Sequence, residues 1–259
     1  MATPEPERWL KIEALSCPSP QSSEQLARLL DENLSPIREK SLIVLPEYFI
    51  HGYEIFKGMS IDDSMVTTLV NFAKEKGAHI VSGMIEKTEA GEKYVTGLFI
   101  SPSGLIEKQR KQTPTSFEKT GGIIPGNEGT KIFNIEGVNC TLSIAMCIES
   151  FRLDKQLRAL QSEILVNPRG FDLDDIAWGT FSQNWLSHNR DLAVMGKRFV
   201  VGATGYMHHK GSLAEIIDFE GNIMDQTLNS EDPVSAFANL DLLEEYRNGD
   251  YKSKIIPHF

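Results

Sequence analysis

Residues 138–146 alternate as a strand does, with Val138, Cys140, Leu142, Ile144 and Met146 on one face and Asn139, Thr141, Ser143 and Ala145 on the other. Cys147 follows at the end of the small, polar face. Ligands of open α/β sheets bind outside the carboxyl ends of strands, so a thiol there is placed to attack a substrate. A free cysteine is also among the most buried residue types, and simple packing is the competing reading. Two further residues stand at strand ends. Glu47 follows the apolar run Leu42-Ile43-Val44-Leu45 and Pro46. It reads either as a turn carboxylate in water or as a pocket carboxylate with a displaced pKa. Lys111 closes a strand-like stretch and, beside Lys108 and Arg110, also reads as a solvated lysine. Glu118 lies in a loop-like segment over 113–129, rich in Gly and Pro, which is long enough to be functional.

The elements that would position these residues are strands and helices in mixed order. Strands are expected over 10–15, 42–45, 80–85, 94–100, 105–110 and 163–167, and again over 199–204, 212–219, 223–228 and 234–240. Ser22 and Gln25 have capping-box spacing ahead of Leu26, Leu29 and Leu30, predicting a helix. A second helix over 61–76 carries Met65, Val66, Leu69, Phe72 and Ala73 on one stripe and ends at Gly77. Residues 153–160 read as helical. A longer helix shows Phe181, Trp185, His188, Leu192 and Met195 on one face, where His188 reads as a packed or interface histidine. The all-apolar 42–45 run points to a sheet covered on both sides.

The 259 residues suit one α/β domain over 1–259, with 1–8 as a loose tail. Lys plus Arg is 26 against 36 for Asp plus Glu, a net charge of −10, which argues against nucleic acid or an anionic membrane surface as partner. No apolar run reaches the roughly 18 residues of a membrane span, and the start lacks a cationic segment followed by an apolar one. A cytoplasmic protein acting on a small molecule is expected. The three cysteines, Cys17, Cys140 and Cys147, give no even disulfide framework. His208-His209 is a weak metal signal without a third ligand, so neither metal nor cofactor is expected.

Four stretches, in chain order, resemble the nitrilase superfamily of carbon–nitrogen hydrolases. Leu45-Pro46-Glu47-Tyr48-Phe49-Ile50-His51-Gly52-Tyr53 is similar to the family's glutamate motif, and Gly104 to Lys111 to the strand leading into its lysine, with Gln109 in place of the usual tyrosine. Phe117-Glu118-Lys119 followed by Pro125-Gly126 resembles the loop with a second glutamate. Ile144-Ala145-Met146-Cys147 matches the nucleophile strand. The likeness spans about residues 10–242. It implies a four-layer α-β-β-α sandwich, with two mixed, mostly antiparallel sheets packed face to face, and a homodimer or larger assembly to which Phe181, Trp185 and Leu192 would contribute. It also implies roles: Cys147 as nucleophile, Glu47 as general base, Lys111 as catalytic lysine, and Glu118 beside them.

Those roles suit attack on an amide carbonyl. The thiol needs a base, and the developing oxyanion needs donors such as an ammonium and the N–H of Ile148, the residue after the nucleophile. Where amidase branches show Cys-x-Asp-x-Arg-x-Pro, this chain has Cys147-Ile148-Glu149-Ser150-Phe151-Arg152-Leu153. The expected activity is hydrolysis of a small amide or N-carbamoyl compound through a thioester. Glu149, as in the Cys-Trp-Glu of true nitrilases, keeps nitriles as the alternative, and a non-catalytic scaffold is the competing class. Arg152 and Arg169 suggest a substrate carboxylate, since either guanidinium could grip one.

Overall fold

The computed structural model describes residues 8–34, 40–50, 52, 55–135, 137–171, 175–206 and 211–249. In chain order the elements are β1 (Trp9–Ala14), α1 (Ser23–Asn33), β2 (Ser41–Val44), α2 (Ser64–Lys76), β3 (Ala78–Lys87), β4 (Lys93–Ile100), β5 (Ile106–Arg110), α3 (Ser116–Thr120), β6 (Ile132–Ile135) and β7 (Cys140–Ile144). The second half continues with α4 (Glu149–Arg152), α5 (Asp154–Ala159), β8 (Ile164–Phe171), α6 (Asp175–Gly196), β9 (Phe199–Tyr206), β10 (Leu213–Ile217), β11 (Ile223–Leu228), β12 (Val234–Asn239) and α7 (Leu240–Asn248).

Helix starts follow their caps. The Ser22 side chain accepts from the Gln25 N–H and opens α1, but the Gln25 side chain accepts from Gln21 N–H, so the reciprocal half of the expected box is not made. The Asp63 side chain accepts from Met65 N–H at the start of α2, and Gly77, at φ 64°, closes that helix in the left-handed conformation that glycine adopts without penalty.

The strands form two six-stranded sheets, ordered β12-β1-β2-β3-β4-β5 and β11-β10-β9-β8-β7-β6. In the first, β1-β2 and β2-β3 are parallel and the other pairs antiparallel. The second has the same mixture, with β7-β8 and β8-β9 parallel. Leu42 and Val44 face the core between the sheets, whereas Ile43 and Leu45 pack under α1 and α2, so the apolar run is covered on both faces as its composition predicts. The expected alternation around the cysteine holds too: Val138, Cys140, Leu142, Ile144 and Met146 all enter the inter-sheet core. Leu157, Leu192 and Ala193 of α5 and α6 cover the outer face of the second sheet at Leu165, Val200 and Ile217. The result is the four-layer α-β-β-α sandwich. Each fully buried Leu or Ile contributes about 1.5–3 kcal/mol relative to exposure.

Several details depart from the sequence reading. The segment over 113–129 contains the short helix α3, and β8 runs on through Pro168-Arg169-Gly170 to Phe171 instead of ending at Asn167. Met195, in the last turn of α6, is 63% exposed. His208-His209 lie outside the described residues. Among those described, no group of three His, Cys, Asp or Glu side chains is placed to hold a metal, and no helix is long and apolar enough to cross a membrane.

His79 of β3 is a polar side chain inside the inter-sheet core. It is 1% exposed, it stacks on Phe99 with ring centroids 5.5 Å apart, and neither ring nitrogen has a hydrogen-bond partner among the described residues. Burial pushes its pKa down to about 4. The unfolded imidazole protonates near pH 6.5, so from there down to about 4 the unfolded chain holds the extra proton and stability falls as pH falls. His79→Leu removes that term. Urea unfolding at pH 7 and pH 5 is expected to show about 2 kcal/mol less acid-side loss in the variant; equal losses in both proteins would refute this role.

Candidate active site

The four singled-out residues converge where the two sheets meet. Glu47 leaves β2 through Pro46, and its N–H donates to the Arg169 carbonyl of β8 at 3.2 Å, tying the sheets together. Gly83 lies directly beneath, where a Cβ would collide with the Glu47 carbonyl. Lys111 follows β5, and its N–H and carbonyl are held by the Val95 carbonyl and the Gly126 N–H, each at 2.8 Å. Lys111 Nζ then sits 2.7 Å from Glu47 Oε1 and 2.7 Å from Glu118 Oε1.

Glu118 is positioned by the capping box of α3. The Thr115 hydroxyl accepts from the Glu118 N–H at 3.2 Å while Glu118 Oε2 accepts from the Thr115 N–H at 2.5 Å. Oε1, already accepting from Lys111, also accepts from the Tyr48 hydroxyl. The pattern Thr115-Ser116-Phe117-Glu118 is a capping-box signature, a signal that would have revealed both the helix and the orientation of the carboxylate.

Cys147 sits on a strained elbow just past β7. Its φ of 47° is left-handed, a conformation that costs a non-glycine residue on the order of 1–3 kcal/mol. The neighbours hold it there. Cys147 N–H donates to the Pro168 carbonyl at 2.8 Å, and the Cys147 carbonyl accepts from the Ser150 hydroxyl and the Asn167 amide at 3.1 and 3.3 Å. The Ile148 N–H hydrogen-bonds the thiol and favours its ionised form.

Electrostatics separates the roles. Burial pushes Glu47 up to about 8, against the pull of Lys111 and with a further push from Glu118. For Lys111 burial opposes the charge, but Glu47, Cys147 and Glu118 overcome it and hold the ammonium above the ordinary lysine range. Burial likewise opposes ionisation of Glu118, and Lys111 with the Tyr48 and Thr115 hydrogen bonds lowers its pKa regardless. Burial and then the Glu47 charge raise the Cys147 thiol, with Lys111 and the Ile148 N–H pulling it back only in part. The thiol therefore rests protonated. Glu47 Oε2 is buried without a hydrogen-bond partner among the described residues, leaving one carboxylate oxygen open to receive a proton.

Glu47, Lys111, Glu118, Cys147 and Ile148 all line one cavity of about 620 Å³. Its other walls, which sequence reasoning did not assign, come from Tyr48, Phe151, Phe171 and the α6 residues Phe181, Asn184, Trp185, Ser187, His188 and Asp191. His188 is both packed, stacked on Phe151 at 3.6 Å, and part of the wall. Trp185 and Leu192 are buried within the chain, so their apolar surface is used internally.

The two arginines do not join the site. Arg169 is fully buried, with Nη1 and Nη2 at 2.6 and 2.5 Å from the two oxygens of Glu215 and Nε at 3.1 Å from Thr204 Oγ1. Because β8 continues through it, its side chain lies on the sheet face covered by α6, beside Trp185 and paired with Glu215, instead of leaving a strand end. Arg152 is exposed on α4, with Nη1 3.3 Å from the Thr113 carbonyl, and it lines no part of the cavity. Neither holds a substrate carboxylate in this arrangement.

Glu149 has a different task from the one its position suggests. It is buried and accepts from the backbone N–H groups of Gln112, of Thr113 at 3.2 Å and of Met146 at 3.2 Å. Those three residues flank Lys111 and Cys147, so one carboxylate fastens the two strand ends together. Burial raises its pKa and the three N–H groups draw it back. Glu149→Gln replaces one acceptor oxygen with a donor facing an N–H. A loss of about 2 kcal/mol in thermal unfolding, with kcat reduced more than KM is raised, is the expected outcome. An unchanged kcat would show that the tie does not position the site.

Comparison with known proteins places this arrangement in context. The carbon-nitrogen hydrolase family model matches residues 22–248. The chain is 24% identical over 241 residues to a 2-oxoglutaramate amidase of Paenarthrobacter nicotinovorans, covering 87% of this chain and 81% of that one. It is 23% identical over 154 residues to an aliphatic nitrilase of Sinorhizobium fredii, covering 59% of this chain and 46% of the nitrilase. Among solved structures, XC1258 of Xanthomonas campestris, a CN-hydrolase superfamily protein with an arsenic adduct in its active site, superposes with a TM-score of 0.80 at 18% identity over 96% of this chain and 99% of that one.

Proposed function

Because this chain belongs to the carbon-nitrogen hydrolase family, we propose that it hydrolyses an amide or N-carbamoyl compound through a thioester on Cys147. The observation that carries the reading is the buried Lys111 ammonium, 2.7 Å from both Glu47 and Glu118, in the cavity that Cys147 also lines. Glu47 takes the thiol proton as sulfur bonds to the carbonyl carbon. Lys111 and the Ile148 N–H stabilise the oxyanion, a donor of this kind contributing about 3 kcal/mol. The carbon–nitrogen bond then breaks, and the nitrogen leaves with the proton that Glu47 returns. Water, deprotonated by Glu47, adds to the thioester, the carbon–sulfur bond breaks as Glu47 returns that proton to the departing sulfur, and the acid is released. Glu118 holds Lys111 in place.

Nitrile hydrolysis is the weaker reading, because the Glu149 that prompts it is occupied by three backbone N–H groups and does not line the cavity. Ammonia release from amides, N-carbamoyl amino acids and nitriles, combined with intact-mass detection of a quenched acyl-enzyme, tests the proposal. An acyl adduct on Cys147 accompanied by ammonia from amides or ureido compounds is expected. No adduct and no ammonia from any of the panel would favour a non-catalytic scaffold, and product from nitriles alone would favour the nitrilase reading.

A further inference from the structure

The walls beyond the reacting atoms are aromatic. Phe171 and Phe181 meet edge to face at 4.4 Å, Trp185 lies 5.7–5.8 Å from both, and Phe151 stands 4.6 Å from Trp185 near the mouth, 43% exposed. Rings at these spacings are suited to edge-to-face or offset contact with a further ring. The volume of about 620 Å³ leaves room for one beside the reacting carbonyl.

Charge in the same walls is one-sided. The only ammonium or guanidinium lining the cavity, among the described residues, is that of Lys111, and its hydrogen bonds go to Glu47 and Glu118. Asp191 adds an exposed carboxylate at the rim. Arg169 stands behind Trp185, its guanidinium carbon 5.5 Å from a ring centroid, and is consumed by Glu215. A substrate carboxylate would lose its water among aromatic rings with no free cation among the described lining residues to meet it, and the carboxylates of those residues outnumber the ammonium.

From this we infer that the cavity selects an amide whose acyl group is uncharged and carries an aromatic ring. The inference rests on the amide-hydrolysis reading above and names its substrate class. The same charge balance favours release of the acid, which is formed as an anion.

The test compares 3-phenylpropanamide, butanamide, succinamate and 4-aminobutanamide as substrates of the full chain. The kcat/KM for 3-phenylpropanamide is expected to exceed that for butanamide at least tenfold and that for succinamate at least a hundredfold. Phe181→Ala should shrink the aromatic-to-aliphatic ratio about tenfold, and Ser187→Arg, which adds a cation at an exposed rim position, should raise succinamate relative to butanamide. Succinamate or 4-aminobutanamide turned over as well as the aromatic amide, or a ratio unmoved by Phe181→Ala, would overturn the inference while leaving amide hydrolysis intact. Calorimetric binding of the four amides to Cys147→Ala reads the pocket without turnover. Aromatic preference in binding with no ammonia release from the native protein would remove the hydrolase reading and keep the pocket's selectivity; equal binding of all four would remove the selectivity.

Discussion

Glu47→Gln is expected to lower kcat on the order of 10³-fold or more, with the fold intact. The size follows from what the thiol cannot do alone. Cys147 is buried, its pKa lies above the ordinary value, and the nearby Glu47 charge pushes it higher still. A thiolate at neutral pH therefore arises only as the proton moves to a neighbour, and Glu47, with one oxygen on Lys111 and the other without a hydrogen-bond partner among the described residues, is the group placed to take it. Gln keeps the volume and removes the basicity, while Lys111 retains Glu118. The pH dependence carries the same signature. Glu47 accepts a proton only when ionised, and burial sets its pKa near 8, so kcat/KM of the native protein should rise with pH and level off above about 8. That rise should vanish in the variant. Activity of Glu47→Gln within tenfold of native, or an unaltered pH profile, would remove Glu47 from the base role; activity retained by Cys147→Ala would remove the thioester altogether.

Arg169→Met should cost about 3–5 kcal/mol of stability, because it leaves the Glu215 carboxylate buried with its principal countercharge gone. Asn189, whose amide donates to Glu215 Oε1 at 2.5 Å, satisfies one oxygen and cannot neutralise the charge. In a chain of this size the loss corresponds to a fall in Tm of roughly 10 °C. Adding Glu215→Leu to Arg169→Met should recover most of the loss, since an apolar pair leaves no charge to solvate. Thermal and urea unfolding of the two single variants and the double variant check this. A single variant as stable as the native protein would contradict it, and so would Arg169→Met changing the preference between anionic and neutral amides at unchanged stability.

The alternation of residues 138–147, the apolar run 42–45 and the stripe along α2 are local patterns, and they carried the strands, one helix and the direction each face would point. Periodicity suffices there because burial of one face is what makes those elements stable. The resemblance of the segments around Glu47, Lys111, Glu118 and Cys147 to the nitrilase superfamily, in chain order, is what implies a single site from the sequence. Which residues share a cavity is a different kind of property. Arg169 stands one residue from Gly170, a cavity wall residue, yet strand alternation and the partner Glu215, far along the chain, turn it onto the sheet face beneath α6. Glu149 looks like a reactive carboxylate beside a nucleophile, and only the return of the chain at Gln112 and Thr113 makes it a tie between backbones. The aromatic stripe of α6 was legible as apolar, but packing against Phe151 and Phe171 decided that Phe181 and Trp185 would wall a substrate cavity. Side-chain chemistry is written residue by residue, whereas charge pairing, burial and the displaced pKa of Glu47 depend on groups brought together from distant parts of the chain, and those only the packing of the two sheets could supply.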